Sequence, residues 1–191
     1  MKLTVYDKAT KDKANAQYEI GYALWGIAED KFEETIDFKD RQFALDYHVN
    51  PFLNEAKEWL EKAADKNHAD ALELLGLIAE EGDFGVAMSI DDAEMLYLKA
   101  ALAGSGNAAQ SLSVIYARKN QQEKAFQWVK RAVELGLDFP YLALKDLENR
   151  YKTGLGCKKN KLKAAIVSLR LNIYRAKIRT ILKFKQLWGS N

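Results

Sequence analysis

One short pattern recurs four times along this chain, and it limits the fold more than any other feature. Ala56, Trp59, Lys62, Ala63 and Ala64 stand at offsets of 0, 3, 6, 7 and 8. The same frame holds Ala93, Leu96, Lys99, Ala100 and Ala101, then Ala125, Trp128, Arg131, Ala132 and Val133. A weaker copy is Ala164, Val167, Arg170, Leu171 and Asn172. The anchoring alanines are 37, 32 and 39 residues apart. Offsets of three, seven and eight lie on one face of a helix. A small alanine beside a bulky ring lets two helices cross closely while the ring fills the gap. Self-similarity at such a period marks a stack of repeated helical units.

Each of these helices has a partner upstream. Ala69, Ala71, Leu74, Leu75, Gly76 and Ala79 precede the second copy. Ala108, Leu112, Ser113 and Tyr116 precede the third, and Leu144, Leu147, Glu148 and Tyr151 the fourth. Ala14, Ala16, Ile20, Gly21 and Trp25 precede the first. The chain therefore divides into helix-loop-helix units at roughly 14–67, 68–105, 106–138 and 139–175, within one domain over 1–191. Residues 1 to 13 are polar and read as an irregular lead-in or a short first turn. The first helix is expected from Ala14 to Ile27, with an extension toward Phe32.

These residues resemble the Sel-one-like repeat family, a subclass of the tetratricopeptide-like solenoids. The second unit, ADALELLGLIAEEGDFGVAMSIDDAEMLYLKAALAG, is the best match, with Ala79 at the family's Tyr position and Leu96 at its Trp position. The fourth carries YKTGLGCKKNKLKAA, with Cys157 where Val is usual. Glu148 replaces the helix glycine, and the third unit lacks the G-x-G loop. The resemblance implies an all-α, right-handed solenoid of about four antiparallel helix pairs. It also implies a concave face for a protein partner and no catalytic residues.

The composition agrees. A chain of 191 residues is long enough for one domain with a real core. Two prolines suit a nearly all-helical fold. The one cysteine, Cys157, rules out an internal disulfide framework and fits a reducing compartment. The first residues lack an apolar signal-peptide core, and no apolar run is long enough to span a membrane. The expected location is the cytoplasm.

Two stretches depart from the repeat. Residues 28–53 form an insert rich in Phe, Tyr and acids, and Asn50-Pro51 stops whatever precedes it. It reads either as an extended helix and irregular loop packed by Phe32, Phe38, Phe43 and Phe52, or as a partner-binding loop. The other is the C-terminus. Residues 152–191 hold eleven Lys and Arg and no acid, which leaves residues 1–151 with 18 bases and 27 acids, a net of −9. Residues 161–188 read as one long basic helix whose Val167, Leu171, Tyr174, Ile178, Ile181 and Trp188 form an apolar stripe. Four roles compete for it: a cap on the end of the stack, a dock for an acidic protein, an anionic-membrane contact, or nucleic-acid binding. The acidic body argues against nucleic acid. The helix is equally able to pair two copies.

Motifs for chemistry are absent or fail on context. Asp83-Phe84-Gly85 matches a kinase magnesium triplet, but no glycine-rich phosphate loop and no H-R-D accompany it. It sits where the repeat demands G-x-G-V. Gly104-Ser105-Gly106 reads as an inter-unit turn, and residues 89 to 92 as a helix cap. His48 and His68 are far apart in sequence, and with one cysteine there is no zinc pattern. No catalytic, cofactor-binding or metal-ligating residue is expected, and no cofactor.

The function expected is a non-enzymatic protein-protein interaction module. The first helices, through Glu73, Leu77, Glu80, Tyr116, Arg118, Lys145 and Tyr151, would offer a groove to another protein. Arg175, Arg179 and Lys183 of the basic helix would add flanking contacts. The chain is similar to small bacterial helical-repeat proteins that include immunity proteins, which neutralise a toxin or effector. A general scaffold and a membrane-surface protein are the alternatives.

Overall fold

Helix-favouring sequence with few breakers produces a chain of helices and turns. The structure, a computed structural model, describes residues 2–34, 49–82 and 87–188, with side chains described over 12–34, 49–82 and 87–184. Its helices are α1 (Lys2–Glu34), α2 (Asn50–Ala64), α3 (Ala69–Glu81), α4 (Ile90–Leu102), α5 (Gly106–Arg118), α6 (Gln122–Leu135), α7 (Tyr141–Thr153) and α8 (Lys161–Trp188). Among the described residues there is no strand.

Two helix boundaries differ from the expectation. α1 begins at Lys2, not near Ala14, and continues to Glu34. No Gly or Pro interrupts residues 2 to 20, and their Lys and Ala are good helix formers, so nothing stops the helix from propagating. The insert expected over 28–53 is helical at both ends. Pro51 stands in the first turn of α2, where a helix does not need its missing N–H. Val49 and Leu53 are buried. Phe32 and Phe52 pack against the core cluster. Phe38 and Phe43 lie outside the described residues, as do His48 and the Asp83-Phe84-Gly85 triplet.

The chain forms two units, Met1–Ala108 and Ala109–Asn191. In the first, the core joins Trp25 and Ala28 of α1, Ala56, Leu60 and Ala63 of α2, and Ala71, Leu75 and Ile78 of α3. The repeat alanines Ala56, Ala63, Ala93 and Ala100 are fully buried, as a close helix crossing requires. Gly76 belongs to the same logic, for a Cβ there would lie 2.8 Å from two ring carbons of Tyr97 on α4. A Cβ at Gly21 would meet Leu60 of α2 at 2.8 Å.

In the second unit, Phe126, Val129 and Val133 of α6 meet Ala143, Leu144, Leu147 and Tyr151 of α7. Ala164, Val167 and Leu171 of α8 close this core from the other side. Arg150 of α7 is buried within the unit at 3% exposure. Its Nε donates to Asp146 Oδ2 at 2.7 Å, and its Nη1 donates to the Gln122 carbonyl and Oε1, each at 3.3 Å. Cys157 packs against this core, and its thiol donates to the Arg150 carbonyl at 3.4 Å. Burial pushes that thiol up, away from the thiolate form.

The turns are built by local chemistry. Ser89 caps α4 by accepting from the Asp92 amide at 3.2 Å, with Asp91 and Asp92 in the positive first turn. Gly82 and Gly154 end α3 and α7 in the left-handed conformation that glycine adopts without strain. His68 caps α3. Its Nδ1 accepts from the Ala71 amide at 3.3 Å, which leaves Nε2–H to donate to Asn15 Oδ1 at 2.9 Å. Its ring stacks on Tyr18 of α1 at 4.7 Å.

Candidate functional site

A groove of about 580 Å³ opens in the first unit between α2 and α4, with α3 as its floor. Leu72, Leu75, Ile78 and Ala79 of α3 supply an apolar base. Ala64 of α2 and Met95 and Leu96 of α4 supply apolar walls. Charge is confined to the rim, with Lys57, Glu61 and Asp65 on one side and Asp92 and Lys99 on the other. Such a mix of apolar lining and convergent charges is the usual make-up of a ligand site.

The second unit repeats this groove position by position, but smaller. Lys130, Val133 and Glu134 of α6 and Lys163, Ile166, Val167 and Arg170 of α8 enclose about 200 Å³ over Leu147 and Tyr151 of α7. In the repeat frame Tyr151 corresponds to Ala79, and Val167 to Leu96. Tyr151 is 7% exposed and meets Phe126 edge-on at 5.5 Å. Its phenol is pushed up, first by burial. A ring thus occupies in one unit what a methyl group leaves open in the other.

The residues expected to contact a partner take several different places. Glu73, Leu77 and Glu80 fall on a face of α3 outside the groove, because Leu72, Leu75 and Ala79 sit at other helical positions. Glu73 accepts from Ser105 Oγ, which itself caps α5 by accepting from the Ala108 amide at 3.0 Å. Glu80 accepts from the Tyr97 hydroxyl at 3.0 Å. Both carboxylates therefore brace neighbouring structure, and Leu77 between them is 38% exposed. Tyr116 and Tyr151 are core residues, and a lysine ammonium lies over each ring, Lys124 at 5.1 Å and Lys163 at 5.7 Å. Arg118 is exposed at the end of α5.

Lys145 and Arg175 are brought together. Arg175 Nη2 donates to the Tyr141 hydroxyl at 3.1 Å, and its guanidinium lies 5.3 Å from the ring centre. Lys145 lies 5.9 Å from the same ring. The Arg175 hydrogen bond, then Lys145, holds the Tyr141 phenol below its ordinary value. Arg179 and Lys183 are exposed farther along α8. The groove residues escaped sequence reasoning, although Ala79 and Leu96 stand out as small residues in the repeat's Tyr and Trp positions.

Among the described residues, no group of three or more His, Cys, Asp or Glu is placed to hold a metal ion. No helix there is long and apolar enough to cross a membrane.

No protein-family model and no curated protein matches the sequence. Solved structures do match. One is a protective antigen of uropathogenic Escherichia coli displaying an SLR fold, at 27% identity and a TM-score of 0.59. The match covers 81% of this chain and 29% of the antigen, so the chain spans under a third of that protein's length. Another is a Sel1 repeat protein from Oxalobacter formigenes, at 27% identity and a TM-score of 0.54, over 63% of this chain and 92% of that one. The chain is thus an all-α solenoid whose structural neighbours are Sel1-repeat proteins, which supports that family for it.

Proposed function

We propose that this chain is a non-enzymatic protein-binding module of the Sel1-like kind, which receives an apolar side chain of its partner in the groove of the first unit. The SLR fold of the neighbours supports an interaction module. The observation that carries the reading is the contrast at one repeat position. About 200 Å³ remains open over Tyr151 in the second unit, whereas about 580 Å³ is open over Ala79 in the first. The floor of this groove is apolar, with the small Ala79 where the repeat has a ring, so a partner's aromatic or large aliphatic side chain is the natural occupant. Hot-spot contacts are of this type, an anchor in an apolar pocket ringed by polar groups.

The finer reading is a dedicated inhibitor of a bacterial toxin, with a cytoplasmic site of action. Both neighbours are bacterial proteins. An inhibitor forms one tight one-to-one complex and abolishes its partner's activity, while a scaffold holds two or more proteins. The test is affinity capture with the full chain, native and Ala79→Tyr, followed by the stoichiometry of the purified complex. Tyr at this position is already accommodated in the second unit, so the variant is expected to fold, as circular dichroism would check. The expected result is one dominant partner, bound one to one and lost on Ala79→Tyr. A partner retained equally by the variant would remove the groove from the account.

A further inference from the structure

The face of α8 that matters most is not the one that closes the core. Ala164, Val167 and Leu171 are buried against the second unit. On the opposite side run Leu162, Ile166, Leu169 and Ile173, which are 73%, 53%, 60% and 61% exposed. Their steps of four, three and four residues continue through Ala176 and Thr180, the 3.5-residue period of a coiled-coil seam. In that frame Ile166 and Ile173 take the a positions and Leu162 and Leu169 the d positions. This is the assignment that favours two-stranded pairing. The e positions beside the seam are Lys163, Arg170 and Lys177. Among the described residues none of these three is in an ion pair.

We infer that this outer seam of α8 docks an acidic amphipathic helix of a partner protein, with Leu or Ile in the seam and Glu or Asp facing Lys163, Arg170 and Lys177. The inference rests on the protein-binding reading and names a second contact for it. Charge complementarity selects the occupant. Every charged residue of α8 is Lys or Arg, so a second copy would bring one basic helix against another with no acid on either to offset the charge. An anionic membrane would match the charge. However, the seam is narrow, aliphatic over its first three turns and closely flanked by bases, whereas interfacial helices offer a broad apolar face with aromatic residues. The seam from Leu162 to Thr180 is about 27 Å long at 1.5 Å per residue, enough for two to three heptads of a partner.

The test uses the full chain and a synthetic four-heptad peptide with Ile at a, Leu at d and Glu at e and g, set against its Lys counterpart. Binding is read by fluorescence anisotropy, self-association by sedimentation, and lipid affinity with vesicles of equal parts phosphatidylserine and phosphatidylcholine. The Glu peptide is expected to bind one to one and the Lys peptide not at all. Leu169→Ser with Ile173→Ser, both on the exposed face, should weaken binding at least about tenfold with helicity unchanged. Lys163→Glu with Arg170→Glu and Lys177→Glu should reverse the preference between peptides. The inference is overturned by failure of the Glu peptide to bind, or by binding indifferent to the Ser substitutions. Self-association of the chain, or vesicle binding, through the same seam would overturn it equally. If the seam fails while a captured partner is still lost on Ala79→Tyr, the seam falls and the module stands.

Discussion

At the scale of single residues, small side chains decide how closely the helices approach. Gly76 faces the ring of Tyr97, which is 1% exposed and tied to Glu80. Gly76→Ala improves helix propensity by about 1 kcal/mol but forces a methyl group into a ring that has nowhere to move, and overpacking of this kind costs about 1–3 kcal/mol. We expect a net loss of about 1 kcal/mol, measured by urea unfolding. Titration separates two tyrosines. Burial, then Asp70, pushes Tyr18 up to about 12, while Arg175 and Lys145 hold Tyr141 low. Because the folded state favours the neutral Tyr18 phenol, its contribution to stability is complete below pH 10 and is lost as pH rises toward 12. Tyr18→Phe should flatten that alkaline decline. Arg175→Ala should raise the Tyr141 phenol back toward its ordinary value, as followed by ultraviolet difference absorbance.

At the scale of elements, α6 and α7 are tied by a buried guanidinium as well as by apolar packing. Arg150 reaches Asp146 on its own helix and Gln122 at the start of α6. Arg150→Ala leaves those acceptors without their donor, and because the Asp146 side chain is partly exposed the cost should be about 1–3 kcal/mol rather than that of a fully buried ion pair. Arg150→Met keeps the volume and should cost less, so the difference in melting temperature between the two variants separates packing from polar loss. α8 has two apolar faces with different fates. The sequence pattern located the face of Val167 and Leu171 but passed over Leu162, Ile166, Leu169 and Ile173. Both stripes have helical spacing, and nothing local tells which one a neighbour will cover.

At the scale of the whole molecule, acidic charge is absent from the C-terminal part of the chain. Residues 152–191 are wholly basic among their charges, whereas residues 1–151 carry the acids. The two contacts proposed therefore respond differently to salt. Binding through α8 should weaken about tenfold between low and high ionic strength, because exposed charges are screened beyond about 10 Å at 0.1 M salt. Insertion into the groove over Leu72 and Ala79 should change little. Measuring the affinity of a captured partner for the native chain, for Ala79→Tyr and for the charge-reversed α8 at two salt concentrations assigns each contribution.

Helix content, the repeated Ala anchors, the glycine at Gly76 and the long basic terminal helix are all visible in sequence, because each follows from local periodicity or from a residue's own conformational freedom. Burial is a different matter, since it depends on what a distant segment supplies. Only the tertiary structure decided that Tyr116 and Tyr151 turn inward, that Arg150 is enclosed, and that Glu73 and Glu80 brace neighbouring elements. The vacancy at Ala79 is of the same kind: a methyl group in place of a ring becomes a groove only when helices on either side hold the walls apart.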